Sequence, residues 1–594
     1  MILPVFTERY ADIAFMLSCQ PFEAFTLFRD HEEQWNARRG DFLLHSAHIE
    51  KEVRLWKQRL DLETIDTLYV YGLGLGYYFQ ALKEWLDAEK ERLVIFFEDD
   101  PAVFHALMQM PWAGELISHP QCHIHFIPEK KHWKASLSGL TLNLPTEQVE
   151  VTALQSYRSI SPKKIQEMRL FIFRQATIVY SLSMEALFSH KLFENLYPNF
   201  KRLPEASYIN LLEGQFKDIP AVICGAGPSL AASIPALKKL EQRALIMAGG
   251  SSIAALTNQS IFPHFSLAVD PNPEEYHRLK QASAFEVPLL YGNRVEPTIF
   301  HTCNGPSGYI RTQTGGRVEE WLEEKIGLTG EPIGPDLGLE AMSVTTLAIA
   351  LAVRMGCNPI IFAGIDLAYT GMKRYASGVL EEDEIKASDI EKEKRASMRV
   401  IRRKDRNNNP VFTLVKWVME SSCISAYAKL YPKHQFINAT DGGIGFQGIA
   451  YQSLEELLDT HCAKRLDLRG KIHAQLERSK LSAQAATDKV IPLFQEVHES
   501  LLRCQQIAQE MLTELERIKN AGKAAESGKQ IILEIDFKEE LAFDALLHSL
   551  GFAVDQMMHR RFLHTQEGDD AHLERSVAKW TRYKTAIDSY LLQV

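Results

Sequence analysis

Ala221-Val222-Ile223-Cys224-Gly225-Ala226-Gly227-Pro228-Ser229-Leu230 is the stretch on which the fold turns. Its first four residues read as a buried strand, and the glycines and proline as a tight turn; residues 231–240 then read as a helix. The pattern recurs downstream. Residues 244–248 are a strand ended by Gly249-Gly250-Ser251-Ser252, with a helix to Thr257. Residues 265–269 form a strand capped by Asp270-Pro271, and residues 287–291 another that ends in Gly292-Asn293. A helix over 343–355 feeds a strand over 359–363, closed by Gly364-Ile365-Asp366. Repeated strand–turn–helix units predict an α/β fold with a doubly wound parallel sheet. Ligands of such sheets sit outside the carboxyl ends of the strands, where Gly225, Gly227, Pro228, Ser229, Gly250, Ser251, Asp270, Asn293 and Asp366 gather.

The Gly225–Ser229 turn suits phosphate on physical grounds. A helix start leaves free N–H groups and a partial positive charge. Glycines admit close approach, Pro228 fits a first helical turn, and the Ser229 hydroxyl can donate. A tight strand–helix turn with no ligand satisfies the same pattern.

Upstream, residues 67–71 are a β-prone run followed by Gly72-Leu73-Gly74-Leu75-Gly76, a helix over 77–88 and a second strand over 93–97 closed by Glu98. This is the order of a Rossmann-like unit, in which an acid after the second strand can bind ribose. The glycine spacing departs from GxGxxG, so ligand binding and plain helix-on-strand packing both remain open. Residues 24–38 and 49–60 read as helices, and 163–196 as a helical bridge with Pro198 and Pro204 at the boundary.

Residues 380–409 open with Glu381-Glu382-Asp383-Glu384 and close with Arg399, Arg402, Arg403, Lys404 and Arg406. A mobile lid and a solvated charged helix both fit such a stretch. Asn438-Ala439-Thr440-Asp441-Gly442-Gly443 is a polar turn after a strand near Phe436, and beyond Leu454 the chain reads as helical, with apolar residues three and four apart from 476 to 518. Three domains are expected: 1–200, a Rossmann-like domain with flanking helices; 201–450, a central α/β domain; and 451–594, helical.

The 594 residues, 46% of them hydrophobic and 24% charged, describe an ordinary folded chain with no need of disulfide or metal staples. A net charge of −10 argues against a nucleic-acid partner. Eight scattered cysteines without a CxxC pair suggest reduced thiols rather than a zinc site. With no signal-peptide pattern at Met1-Ile2-Leu3-Pro4 and no long apolar run, a cytoplasmic chain without a membrane span is expected.

The GxGPSL run, Ala268-Val269-Asp270-Pro271, Ser343 through Pro359, Gly364-Ile365-Asp366-Leu367-Ala368-Tyr369 and Asn438 through Gly443 come in an order that resembles the motility accessory factor (Maf) family and the related 6-hydroxymethylpterin diphosphokinase MptE-like domain. The resemblance covers roughly residues 65–450. It implies a central fold similar to that of bacterial sialyltransferases and a glycosyltransferase that moves a nonulosonic (sialic-acid-like) sugar from a CMP-activated donor to Ser/Thr of a protein such as flagellin or another helical surface protein. CMP-sugar would be a co-substrate, with no tightly bound cofactor and no metal. On this resemblance Gly225, Gly227 and Ser229 would hold the cytidine phosphate, with Gly250 and Ser251 beside the nucleotide. Asp270 and Asp366 would contact ribose, sugar or acceptor, Asp366 stabilising the oxocarbenium character of the reacting sugar. The Thr440-Asp441-Gly442 turn would border the substrate. MptE-like relatives instead transfer diphosphate from ATP to a pterin alcohol, and a non-catalytic partner-binding protein of the same fold is a further alternative.

One departure stands out. Tyr375 occupies the position where Maf sequences commonly carry histidine. Tyrosine, with a pKa near ~10, is a poor base at neutral pH. Tyr369 and Tyr375 could instead bind the donor phosphate through their hydroxyls. His277 and His301 are available as proton-transfer groups or as plain loop residues.

Overall fold

The computed structural model describes residues 3–129, 148–312, 316–337, 343–377, 379, 399–481, 487–521, 528–561 and 569–593. The chain forms two compact units, one built mainly from Met1–Ser183 and the other from Met184–Glu393, Val400–Val554 and Leu573–Val594.

In the first unit two helices, Pro4–Arg9 and Ala11–Cys19, precede an antiparallel sheet, β1 (Thr26–Arg29), β2 (Trp35–Arg39) and β3 (Phe42–Leu43). The helix expected over 24–38 is therefore a hairpin. Its turn is set by Asp30, whose Oδ1 accepts from Glu32 N at 2.8 Å and Gln34 N at 2.9 Å, and by Glu33 at φ +58°. The helix-forming residues between the strands are spent on this turn. The helix Ile49–Lys57 comes next, as expected. A four-stranded parallel sheet then runs β6 (Cys122–Phe126), β5 (Leu93–Glu98), β4 (Thr67–Tyr71), β7 (Val149–Ala153). Every residue of β4 and β5 is buried, as a parallel strand covered on both faces requires.

In the second unit all eight strands of the main sheet pair in parallel: β8 (Ser207–Tyr208), β9 (Ala221–Cys224), β10 (Leu245–Gly249), β11 (Phe265–Ala268), β12 (Leu289–Tyr291), β13 (Ser307–Tyr309), β14 (Ile360–Ala363) and β17 (Phe436–Asn438). Their order is β17-β14-β9-β10-β11-β12-β13-β8. The chain walks outward from β9 to β13, then returns to place β14 on the other side of β9. The switch point lies between β9 and β14. Leu347, Leu351 and Met355 of the Val344–Arg354 helix and its end pack in the core beside Met247, Leu267 and Phe362 of the sheet.

The expected bridge over 163–196 is two helices, Pro162–Leu187 and Ser189–Arg202, and Pro198 lies inside the second rather than at a boundary. Its asparagines hold loops of the sheet. Asn195 Nδ2 donates to the carbonyls of Pro271 and Arg294, and Asn199 Nδ2 to those of Asn293 and Val295, at 2.7–3.0 Å. Of the charged stretch, residues 380–398 lie outside the described residues. Its basic end forms an antiparallel hairpin, β15 (Val400–Lys404) with β16 (Pro410–Leu414), not a helix.

Beyond Leu454 the chain is helical. In the helix Thr487–Asn520, buried Val490, Phe494, Val497, Leu501, Cys504, Ala508, Met511, Leu515 and Ile518 recur at alternate steps of four and three. That is a seam covered along its length, and Phe494 meets Phe193 of the Ser189–Arg202 helix with ring centroids 5.6 Å apart. All eight cysteines are free thiols. Among the described residues no helix is long and apolar enough to cross a membrane.

Candidate functional site

In the first unit the glycine turn after β4 is filled by the protein itself. A Cβ on Gly72 would lie 2.8 Å from Leu154 Cβ, on Gly74 2.8 Å from His45 Nε2, and on Gly76 2.9 Å from Trp112 Nε1. Glu98, the acid in the ribose-binding position, is fully buried. It accepts from the amides of Leu73, Asp99 and Asp100 and from the Tyr157 hydroxyl, at 2.7–3.0 Å. Its four donors come from the chain, so the turn is packed as scaffold.

At the switch point of the second unit the two strand ends also close on each other. Gly225 N donates to Ala363 O, and Gly227 N to Gly364 O, each at 2.8 Å. A Cβ on Gly225 would lie 2.4 Å from Gly364 O, and one on Gly227 2.2 Å from Asp366 Oδ1. Asp366 is 1% exposed and accepts from Ser229 Oγ at 2.5 Å and Ser229 N at 3.3 Å. Burial raises its pKa, while the bonds from Ser229 pull the other way. The helix Leu230–Leu240 is thus capped by a carboxylate of its own chain, the charge that a phosphate would bring.

The Asn438–Gly443 turn belongs to the same latch. Thr440 is buried, and its hydroxyl accepts from Ile365 N at 3.1 Å. Ile444 N donates to Asp366 O at 3.0 Å, and a Cβ on Gly443 would lie 1.9 Å from that oxygen. Gly442 sits against Thr370, and exposed Asp441 accepts from the Tyr451 hydroxyl at 2.9 Å. Tyr369 is buried with its ring centroid 5.0 Å from that of Trp417.

The open space lies beside this latch, over the ends of β9, β10 and β11. It is a cavity of about 540 Å³, within the range of small-molecule sites. Of the residues expected at the site, Gly225, Gly250, Ser251, Asp270 and Tyr375 line it. Tyr375 is held there because Ala376 N donates to Ala226 O at 2.8 Å. Asp366, Tyr369, Gly227, Pro228, Ser229, Asn293, Thr440, Asp441 and Gly442 are not among its walls. Asn293 is fully buried, and its backbone carbonyl is taken by Asn199. Asp366, expected to meet substrate, has its carboxyl enclosed and bonded to Ser229.

Walls that the sequence reading did not assign come from three places. Ser343, Val344 and Thr345 begin the Val344–Arg354 helix, whose capping box is closed between Ser343 and Thr346. Arg294 pairs with Glu185 at 2.8 Å, and Lys416 completes the set of cations. The helix Glu274–Leu279 supplies Glu275 and Arg278. Arg278 Nη1 bridges two carboxylates, Asp270 Oδ2 at 3.0 Å and Glu275 Oε2 at 2.9 Å. Glu275 is 1% exposed, and its Oε1 has no hydrogen-bond partner among the described residues. Burial pushes its pKa up to about 7 against the pull of Arg278. The signal for this pair was present as Glu-x-x-Arg, one helical turn apart, directly after the Asp270 strand end.

Among the described residues, one group outside the cavity brings metal-type ligand atoms together. Exposed His31, Glu32 and His48 of the first unit have theirs within 4.8 Å of one another.

Comparison with known proteins places residues 194–372 in a match to the family model described as 6-hydroxymethylpterin diphosphokinase MptE-like. That span carries the sheet from β8 to β14 and the cavity walls from Gly225 to Thr345. No curated protein matches the chain. A solved structure of a Maf glycosyltransferase from Magnetospirillum magneticum AMB-1 aligns over 99% of this chain and 95% of its own, with 13% identity and a TM-score of 0.47. The part of the chain that builds most of the cavity is therefore MptE-like in sequence.

Proposed function

We propose that the cavity over β9–β11 binds the nucleotide phosphate of an activated sugar and that the chain is a glycosyltransferase, moving a nonulosonic-type sugar from a CMP donor to a hydroxyl of a protein acceptor. One observation carries the reading. The Gly225-Ala226 turn, the Gly250-Ser251 turn and the first turn of the Val344–Arg354 helix meet on one cavity with Arg278, Arg294 and Lys416. First-turn amides and hydroxyls beside cations are the surroundings an anionic phosphate requires. The order of motifs shared with the Maf family supplies the sugar and acceptor classes. CMP-sugar is a co-substrate in this scheme rather than a resident cofactor.

The MptE-like match over residues 194–372 favours a second reading, transfer of diphosphate from ATP to a pterin alcohol. Calorimetric titration of the full chain with CMP, UDP, ADP, ATP–Mg²⁺ and a pterin alcohol separates the two. CMP should bind, and Lys416→Ala or Arg294→Ala should weaken it by about tenfold. Binding of ATP–Mg²⁺ and pterin alone would replace the proposal with the diphosphokinase. Silence across the panel would leave a partner-binding protein of the same fold.

A further inference from the structure

We infer that His31, Glu32 and His48 form a surface site on the first unit for a divalent transition-metal ion, with zinc the best fit. The inference is independent of the transfer reading above. The three residues come from two segments, the turn between β1 and β2 and the residue that precedes the helix Ile49–Lys57.

Glu32 Oε1 stands 3.7 Å from His31 Nε2 and 3.3 Å from His48 Nδ1. The longer separation is beyond hydrogen-bond reach. Both are close to the spacing of ligands around one ion, because donor atoms 2.0–2.2 Å from a tetrahedral centre lie about 3.3–3.6 Å apart. The three ligand atoms all fall within 4.8 Å of one another. The two rings meet edge to face, with centroids 4.8 Å apart. A hydrogen-bonded His48–Glu32 pair explains one of these distances and leaves the second imidazole at the same oxygen unexplained.

The donor set selects the kind of ion. Two imidazoles and a carboxylate suit zinc and its neighbours in the first transition row, whereas calcium and magnesium take oxygen ligands. Three protein ligands leave a fourth position for water, which exposed side chains supply readily.

The backbone beneath each ligand is fixed by the chain's own hydrogen bonds. On the hairpin side Asp30 Oδ1 accepts from Glu32 N and Gln34 N, and Glu33 N donates to Asp30 O at 3.2 Å. On the helix side Ser46 Oγ donates to His48 O at 3.1 Å and accepts from His48 N at 3.3 Å. Ser46 N in turn donates to Glu52 Oε2 at 2.6 Å. Binding therefore orders three side chains on a framework already set, and it clips the hairpin to the start of the helix. Glu32 and His48 are 16 residues apart, so no familiar ligand spacing announces the set, and the hairpin brings it together.

The test uses the full chain without an affinity tag, titrated with Zn²⁺ alone by calorimetry in a non-coordinating buffer at about pH 7.5. Wild type should take up a single ion, and its thermal midpoint should rise with Zn²⁺ concentration. His31→Ala and His48→Ala alter exposed positions and should each weaken binding by about tenfold or more, since loss of even an outer partner of a ligand costs about 10–100-fold. His473→Ala, at an exposed position of the helix Leu468–Arg478 in the second unit, should bind as wild type does. With Co²⁺ the complex should show the visible bands of a nitrogen and oxygen site and no thiolate charge-transfer band. No Zn²⁺ uptake by wild type, or a loss below about tenfold in either His31→Ala or His48→Ala, would overturn the site. A thiolate band would overturn it too, by moving the ion to the cysteines.

Discussion

The Ser229 hydroxyl donates to Asp366 Oδ1 across 2.5 Å, and that bond ties the turn after β9 to the turn after β14 at the switch point of the sheet. A buried carboxylate that also caps a helix start through Ser229 N is a structural group. Asp366→Ala removes the acceptors of both Ser229 N and the Ser229 hydroxyl and should destabilise the second unit by about 1–3 kcal/mol in urea unfolding. Unchanged stability with lost CMP release would restore Asp366 to the chemistry.

The glycines of that latch respond to added bulk for the same reason. Gly227→Ala places a methyl 2.2 Å from Asp366 Oδ1 and 2.7 Å from Gly364 O. Overpacking at this closeness, partly against backbone, should cost roughly 3 kcal/mol or more and deplete soluble protein. Gly114→Ala is the control. It lies in the helix Ala113–Ser118 with nothing within 4 Å of the added carbon, and it should stabilise by about 0.5–1 kcal/mol. Equal melting temperatures for the two variants would contradict the packing account.

How far the sequence could be read depends on this latch. Strands β4, β5, β9, β10, β11 and β14 are buried runs of apolar residues, and their pattern announces them. Strands β8 and β13, Ser207–Tyr208 and Ser307–Tyr309, carry two or three residues of mixed polarity and exist through pairing with their neighbours. At the site, glycine was the ambiguous letter. A turn that must admit Gly364 and one that must admit phosphate both remove the Cβ, so Gly225 read alike for either. Gly250 and Ser251 reached the cavity, whereas Gly227 and Ser229 were spent on Asp366. Glu275 and Arg278 stayed hidden because an exposed Glu–Arg helical pair has the same spacing as one set into a cavity wall.

In the first unit His45 fills the space that Gly74 vacates. Leu75 N donates to His45 Nε2 at 3.0 Å, so the ring's proton resides on Nδ1, 3.3 Å from Glu52 Oε1. The Tyr78 hydroxyl donates to the same carboxylate oxygen at 3.1 Å. His45→Ala leaves a buried amide unsatisfied beside a void and should cost about 2–4 kcal/mol in thermal or urea unfolding. His45→Gln, able to accept from Leu75 N, should recover part of the loss. Equal stability of all three proteins would show that the bond carries no weight.

Glu319 gives the second unit a defined response to pH. It is 1% exposed on the helix Gly316–Ile326, one turn from buried Glu323. Burial raises the pKa of Glu323 too, and the Tyr309 hydroxyl and Arg311 Nε, which both donate to it, offset part of that rise. Burial and the neighbouring Glu323 raise the pKa of Glu319 above the ordinary carboxyl range. Below that range the folded and unfolded chains both hold the proton, and the group adds no pH dependence. As pH climbs through it, the unfolded chain releases a proton that the folded chain retains, so stability falls until pH passes the raised folded value. The slope for one such group approaches about 1.4 kcal/mol per pH unit. Glu319→Gln has no proton to lose. Its unfolding free energy should match wild type only near about pH 3.5, below the ordinary carboxyl range, and exceed it by a margin that widens toward about pH 8. Urea titrations at three pH values read the margin directly, and parallel curves for the two proteins would place the raised carboxyl elsewhere.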